Sequence, residues 1–188
     1  MPDARLPAVP PAANHPAVQR VLEAAQRKGV PLEVTVFSES AHTAEDAARA
    51  VGVELGQIVK SLVFVSPADD GQLEAVICLM SGPNRVDLRR LGAVLGRLDV
   101  RRASASEASD LTGFVIGGIP PFGHAHRLRV IMDPDLGRFP IVWAAAGHPS
   151  AVFPVPPATL RMLADAVVSP IAEVPAERGP AADTQAAL

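Results

Sequence analysis

Two strongly apolar segments, Ile58–Val65 and Leu73–Ser81, constrain the fold of this chain more than any other feature. Both have the composition of β-strands, and the sequence ADDGQ between them is typical of a tight turn. The pair therefore predicts a β-hairpin. No apolar run reaches the roughly 18 residues that a membrane-spanning helix needs, so no membrane partner is expected.

Further strand and helix patterns are interspersed along the chain without a strict alternation of strand and helix. Predicted strands are Leu32–Phe37, Phe114–Ile116, Leu128–Met132, Pro140–Ala145 and Ala151–Phe153. Predicted helices are a first one capped by Asn14 that ends at Lys28, a second that Thr43 and Asp46 open, and then Val86–Leu95, Ser106–Leu111 and Pro157–Ala166. This order predicts an α/β protein of the mixed α+β kind, with a mixed sheet covered by helices.

The composition predicts one domain with a tail at each end. Residues 1–13 and 174–188 are rich in proline and alanine and are expected to be disordered tails, which leaves 14–173 as a single domain. The net charge of −3 argues against a uniformly basic nucleic-acid coat, and one cysteine excludes a disulfide framework. The first residues lack the apolar core of a signal peptide, so we expect a cytoplasmic protein.

Lys60 is the most unusual side chain, because it interrupts an apolar strand. It is one of two lysines beside 15 arginines. A buried ammonium is unfavourable unless it is paired or borders a wet cavity. The alternative interpretation, which the strand sequence supports equally well, is that Lys60 keeps an edge strand from associating with another sheet. The scarcity of lysine favours a functional amine.

The segment Gly117–His124, GGIPPFGH, is the second candidate. Its glycines allow a ligand to approach the backbone and its prolines stiffen the loop, so the remaining amides could bind a carbonyl or oxyanion. A tight connection without a site is the alternative. His124 and His148 could border a pocket. His124 and His126 lack a third ligand at a recognisable spacing, so no metal site is expected.

Six arginines lie between Arg85 and Arg102. They could contact phosphates, although a solvated helix face explains them as well.

An ordered set of motifs resembles the YbaK family, also called the prolyl-tRNA-synthetase-associated editing domain family. The resemblance covers nearly all of 14–173. The motifs are His42-Thr43-Ala44-Glu45, Ile58–Phe64, Ser81-Gly82 with Asn84–Asp87, Gly113-Phe114, Gly117–His124, Ile131–Asp133 and Ala146–His148.

The resemblance implies a curved mixed sheet packed by helices, and trans-editing: hydrolysis of the ester that joins a wrong, small amino acid to tRNA, above all tRNA for proline. It implies that Lys60 is the essential catalytic side chain and that the Gly117–Pro121 loop holds the aminoacyl carbonyl. The remaining substrate-binding candidates are Ser61, Gly82, Gly118, Ile119, Pro120, Gly123, His124, Gly147 and His148. No metal or cofactor is implied. The partners are a mischarged aminoacyl-tRNA and, as a further candidate, prolyl-tRNA synthetase.

Two departures bear on specificity. Pro120 stands at the position where the classical Cys-tRNA editor of the family looks to have a serine. The Ser-Gly-Gly of that editor looks like Ala145-Ala146-Gly147 in this chain. Cysteine specificity is therefore not expected. The Pro-Pro-Phe-Gly-His sequence is more similar to other branches of the family, some of which act on small aliphatic residues such as alanine. A non-catalytic module that binds tRNA ends or a synthetase is the main alternative function, and a small-molecule hydrolase with the same pocket is another.

Overall fold

The structure is a computed structural model that describes residues 11–37, 43–68 and 71–174. The strands of this part are β1 (Thr35–Val36), β2 (Ile58–Pro67), β3 (Leu73–Ser81), β4 (Arg101–Arg102), β5 (Arg129–Met132), β6 (Val142–Ala145), β7 (Ala151–Val155) and β8 (Val167–Val168). Its α-helices are α1 (Pro16–Arg27), α2 (Ala44–Val51), α3 (Leu88–Leu95), α4 (Ala105–Thr112) and α5 (Pro157–Ala164). Short 3-10 turns cover Pro11–Asn14, Leu55–Gln57 and Pro134–Arg138.

All eight of these strands belong to one mixed sheet, in the order β1-β7-β6-β2-β3-β5-β8, with β4 also paired to β2. The hairpin of β2 and β3 is antiparallel, with Val59 opposite Ser81. The pairs β2–β6, β3–β5 and β5–β8 are parallel. The prediction of a mixed α/β fold with helices on a mixed sheet is confirmed.

Helices cover both faces of the sheet. Side chains of α1 and α5 pack on one face of β2 and β3, where Val63 and Ile77 lie. Leu91 of α3 packs on the other face with Phe64, and two alanines of α2 pack beside Ile58 on that same face. Because both faces are covered, β2 and β3 are apolar almost throughout instead of alternating with polar residues.

Two helices begin later than predicted because another residue supplies the cap. The Nδ1 atom of His15, rather than Asn14, caps α1 by accepting a hydrogen bond from the amide of Ala17 at 3.2 Å. The α3 helix begins at Leu88 because the Asp87 carboxylate accepts hydrogen bonds from the amides that follow it, at 2.9 and 3.2 Å.

The predicted strand Phe114–Ile116 is wrong. Gly113 ends α4 with a φ of 74°, and the amide of Gly118 donates to the carbonyl oxygen of Val115 at 3.0 Å, so this stretch is a turn. Phe114 is buried in the core, whereas Val115 and Ile116 are each 55% exposed. The short strands β4 and β8 were not predicted. Most of the two predicted tails, 1–10 and 175–188, lies outside the described residues, and 11–13 belong to the first 3-10 turn.

Candidate active site

The candidate site is a cavity at a gap in the sheet beside β2. Strand β3 pairs with β2 along its whole length. On the other side, β6 pairs only with Ile58 and Val59, and β4 only with Phe64 and Val65. Within the described residues, the middle of β2 therefore has no strand neighbour on that side. A cavity of about 240 Å³ occupies the gap.

Lys60 and Ser61 both line this cavity although they are on opposite faces of β2. The carbonyl oxygen of Val63 accepts a hydrogen bond from the amide of Ala103 at 3.0 Å, on the side away from β3. Since main-chain groups alternate in direction along a strand, those of Ser61 point to the same side, into the gap. The Ser61 hydroxyl is buried and has no hydrogen-bond partner in the described structure. A solitary buried hydroxyl of this kind is available to a ligand.

The amine of Lys60 is held by a chain of hydrogen bonds. Its Nζ donates to the main-chain oxygen of Asn84 at 2.6 Å, and the Asn84 side chain donates to the Asp135 carboxylate at 2.7 Å. The amide of Asp135 in turn donates to the buried carboxylate of Asp133 at 3.1 Å. The ammonium has three donors, so two remain for a ligand after the bond to Asn84.

Burial lowers the pKa of Lys60 from its ordinary value. The carboxylate of Glu45 on α2 acts in the opposite sense and raises this pKa, while the positive charges of Arg102 and Arg85 lower it further. The amine therefore loses its proton more readily than a lysine in water.

The glycine-proline loop also contributes to the cavity lining. Gly117, with a φ of 85°, and Ile119 line the cavity. Their amides have no hydrogen-bond partner among the described residues, whereas the amide of Gly118 is used within the turn. A Cβ added to Gly118 would lie 2.9 Å from the Cα of His148, so only glycine fits there. The structure thus brings Lys60, Ser61, Gly117 and Ile119 to the lining of one cavity.

The remaining loop candidates support the loop from outside the cavity. Pro120 and Pro121 are buried. His124 Nε2 donates to the carbonyl oxygen of Pro120 at 2.8 Å, and its ring packs edge-on against Phe114. Burial lowers the pKa of His124, which favours the neutral ring. Gly123, with a φ of 80°, packs against α1.

Gly82, Gly147 and His148 also lie outside the cavity lining. Gly82 packs against the carbonyl oxygen of Leu55, and a Cβ on Gly147 would lie 2.5 Å from the carbonyl oxygen of Ala17 in α1. Nδ1 of His148 accepts a hydrogen bond from the amide of Ser150 at 3.1 Å. These positions fix the main chain next to the site.

Several cavity residues were not predicted as site residues. Arg102 lines the cavity, as do the mostly apolar residues Thr43, Ala44, Ala47, Ile58, Trp143, Ala145, Pro149 and Val152. Asn84 and Asp135, which hold the amine, were also missed, although Asn84 lies in a motif that carries the resemblance. In the described ranges no three His, Cys, Asp or Glu side chains are grouped as metal ligands, and no helix is both long and apolar enough to cross a bilayer.

The fold is a mixed α/β domain with a gap in its sheet. The cavity at this gap is lined by a lysine and by a glycine-proline loop. Residues 38–163 match the family model of the aminoacyl-tRNA editing domain, and the chain belongs to that family.

Individual relatives agree with this assignment. The chain is 34% identical over 128 residues to an uncharacterized protein, YwhH, of Bacillus subtilis, a match that covers 68% of this chain and 78% of YwhH. It is 31% identical to the multifunctional Ser/Thr-tRNA deacylase ProXp-y of Escherichia coli, covering 63% of this chain and 70% of that protein. A crystal structure described as that of a proposed trans-editing enzyme for prolyl-tRNA synthetase superposes with a TM-score of 0.77 at 43% identity, covering 85% of this chain and 99% of the other.

Proposed function

We propose that this chain is a trans-editing deacylase that hydrolyses the ester of a small, wrong amino acid on tRNA, with tRNA for proline as the principal substrate. Its membership of the editing-domain family and its likeness to named tRNA deacylases support the reaction class. The observation that carries the proposal is that four residues line one cavity: Lys60, Ser61 with its unpartnered hydroxyl, and Gly117 and Ile119 with their unpaired amides.

The loop amides bind the ester carbonyl in this mechanism. The amides of Gly117 and Ile119 donate to the carbonyl oxygen, and their bonds strengthen when water adds and the oxygen becomes negative. The rigid loop keeps the donors oriented before the reaction, so little reorganisation is needed at the transition state. The tetrahedral intermediate then collapses: the bond from the carbonyl carbon to the ribose oxygen breaks, and the ribose oxygen takes up the proton that the attacking water gave up. The products are a free amino acid and an intact tRNA.

Lys60 supplies the positive charge. Two of its N–H groups remain free to contact the developing oxyanion or the ribose oxygens while the third is held by Asn84. The Ser61 hydroxyl is free to orient the attacking water. An aminoacyl ester is already reactive, so positioning and charge stabilisation suffice without a protein nucleophile.

Small, mostly apolar side chains define the acyl pocket. Ala44, Ala47 and Ala145 line it together with Trp143. Such walls favour a short aliphatic side chain, and the limited space excludes proline by size, as in the second site of a double sieve. Prolyl-tRNA synthetase, which charges the same tRNA, is the proposed protein partner, and the reaction takes place in the cytoplasm.

The test is deacylation of a panel of tRNAs charged with alanine, serine, threonine, cysteine or proline by wild-type protein, Lys60→Met and the matched surface variant Arg89→Gln. We expect turnover of at least one small aminoacyl-tRNA, a loss of about 100-fold in Lys60→Met and no change in Arg89→Gln. Equal turnover in wild type and Lys60→Met contradicts the role of Lys60. Binding of tRNA without hydrolysis of any ester contradicts the deacylase function and identifies a binding module.

A further inference from the structure

The six arginines between Arg85 and Arg102 differ in whether a carboxylate neutralises them. Four are paired with acidic residues of the same surface. The pairs are Arg89–Asp87 (3.9 Å), Arg90–Asp87 (3.6 Å), Arg97–Glu74 (3.4 Å) and Arg101–Glu107 (2.7 Å). The positive charge of each of these four side chains is thus offset by a carboxylate of the same protein.

Arg85 and Arg102 are the two members whose guanidinium groups have neither a hydrogen bond nor an ion pair in the described structure. Both residues are exposed. Arg102 lines the cavity, since β4 sets it opposite Phe64 at the end of the gap. Arg85 directly follows Asn84, whose carbonyl oxygen binds the Lys60 amine.

Both unpaired arginines are therefore near Lys60: Arg102 lines the same cavity, and Arg85 is next in sequence to the residue that binds the Lys60 amine. The positive charge of each is near enough to lower the pKa of the Lys60 amine. Clustering three cations is unfavourable in the free protein, and the Glu45 carboxylate opposes this repulsion. An anion between them would remove the repulsion, and the planar guanidinium fork matches phosphate oxygens in particular.

We propose that Arg85 and Arg102 form a phosphodiester-binding site for the single-stranded 3′ end of an RNA, while the four paired arginines do not contact it. The inference rests on the proposed function, because the ester in the cavity is attached to the last nucleotide of such a strand. The phosphates that precede this nucleotide lie at the cavity mouth, between the two guanidinium groups.

Binding of uncharged RNA tests the site without requiring hydrolysis. The probe is a fluorescent RNA hairpin of an acceptor stem that ends in single-stranded CCA and carries no amino acid. Its affinity is measured by anisotropy between 50 and 200 mM salt for wild type, Arg85→Gln, Arg102→Gln and the matched control Arg89→Gln, whose side chain is 96% exposed. Thermal unfolding checks that each variant is folded.

We expect Arg85→Gln and Arg102→Gln each to weaken binding about 5- to 10-fold and to reduce the slope of log K against log salt by about 0.7, the value for one contact to a single strand. Arg89→Gln should bind within about 2-fold of wild type. Equal losses in all three variants, or no loss in any, overturn the proposal.

A second probe locates the contact on the RNA. When the linkages between the last three nucleotides are uncharged methylphosphonates, wild type and Arg102→Gln should bind equally. If Arg102→Gln still weakens binding to this neutral-ended RNA, the arginine contacts another part of the molecule and the proposal is wrong. These measurements stand apart from the deacylation panel, so absence of turnover would reject the enzyme function without deciding whether the phosphate site exists.

Discussion

The Nζ atom of Lys60 lies 2.6 Å from the main-chain oxygen of Asn84, which fixes the amine at the wall of the cavity. The acceptor is itself positioned, because the Asn84 side chain donates to Asp135 at 2.7 Å. The Lys60 amine is thus held by a main-chain oxygen, and its remaining N–H donors are available to a ligand in the cavity.

Removing the Asn84 side chain should loosen Lys60 without removing its charge. In Asn84→Ala the carbonyl oxygen remains but its segment loses the bond to Asp135. We expect kcat for deacylation to fall about 10-fold with little change in KM, because the substrate still binds but the amine is less well placed. Asp135→Asn should also lower kcat, but by less than Asn84→Ala. Equal losses of kcat in Asn84→Ala and in the control Arg89→Gln would contradict a positioning role.

The pH dependence of deacylation should shift in opposite directions in two charge variants. If the protonated Lys60 amine is the active form, the rate falls as pH rises through its lowered pKa. Glu45 raises that pKa, so Glu45→Gln should move the fall to lower pH. Arg102 lowers it, so Arg102→Gln should move the fall to higher pH.

Single-turnover rates between pH 7 and 10, corrected for uncatalysed ester hydrolysis, measure these shifts. Displacement of both profiles in the same direction would show that another group titrates.

Gly118 and Gly137 provide a matched pair of glycine substitutions. In Gly118→Ala the new Cβ meets the main chain of His148 at 2.9 Å, so the loop must move. We expect a loss of about 1–3 kcal/mol in the free energy of unfolding together with a large loss of activity. No atom lies within 4 Å of a Cβ on Gly137, so Gly137→Ala should change neither property. Denaturant unfolding and deacylation assays compare them, and wild-type behaviour in Gly118→Ala would contradict the close contact.

Lys28 should contribute to stability but not to catalysis. Its Nζ donates to the carbonyl oxygens of Met162 and Leu163 at 3.1 and 3.0 Å and pairs with Asp165 at 2.8 Å, at the C-terminal end of α5. We expect Lys28→Met to reduce the free energy of unfolding by about 1 kcal/mol and to leave kcat unchanged. The neighbouring exposed Arg27 offers the control Arg27→Met, which should be near neutral. A loss of activity in folded Lys28→Met would contradict this assignment.

Cys78 should be inert to thiol reagents in the folded protein. It is fully buried between β2 and β5, and burial raises its pKa to about 12. A maleimide at pH 8 should therefore label the native protein more than 100-fold more slowly than the chain in guanidinium. Because the chain has one cysteine, the labelling signal is unambiguous. Rapid labelling under native conditions would show that this part of the sheet opens.

Local sequence patterns predicted much of the fold. The hairpin of β2 and β3 followed from two apolar runs and a turn, and α2 followed from Thr43 and Asp46, whose reciprocal capping bonds the structure contains. Phe114–Ile116 was misread because three apolar residues have no definite periodicity, and the Gly113 cap and the Gly118 turn decide their conformation.

The site was predicted less completely, for a physical reason. Lys60 and Gly117 are unusual within their own segments, so sequence identified them. The scarcity of lysine is a weak guide to function, since Lys28, the other lysine, binds the C-terminal end of α5. Three features of the site depend on segments far apart in the chain. Lys60 and Ser61 line one cavity from opposite faces of β2, the Lys60 amine bonds to Asn84, and carboxylates pair with four of the six arginines. Such relationships arise only when the sheet and its long-range ion pairs form.

The gap beside β2 also bears on how proteins of this kind can change over time. Its amide and carbonyl groups belong to the main chain of β2 and are present whatever side chain stands there, whereas the alanines and Trp143 around it contribute side chains that single substitutions change. A lineage could therefore exchange the amino acid it accepts through a few wall residues while inheriting the same reaction machinery. A mutation that let another strand close the gap would abolish every such variant at once.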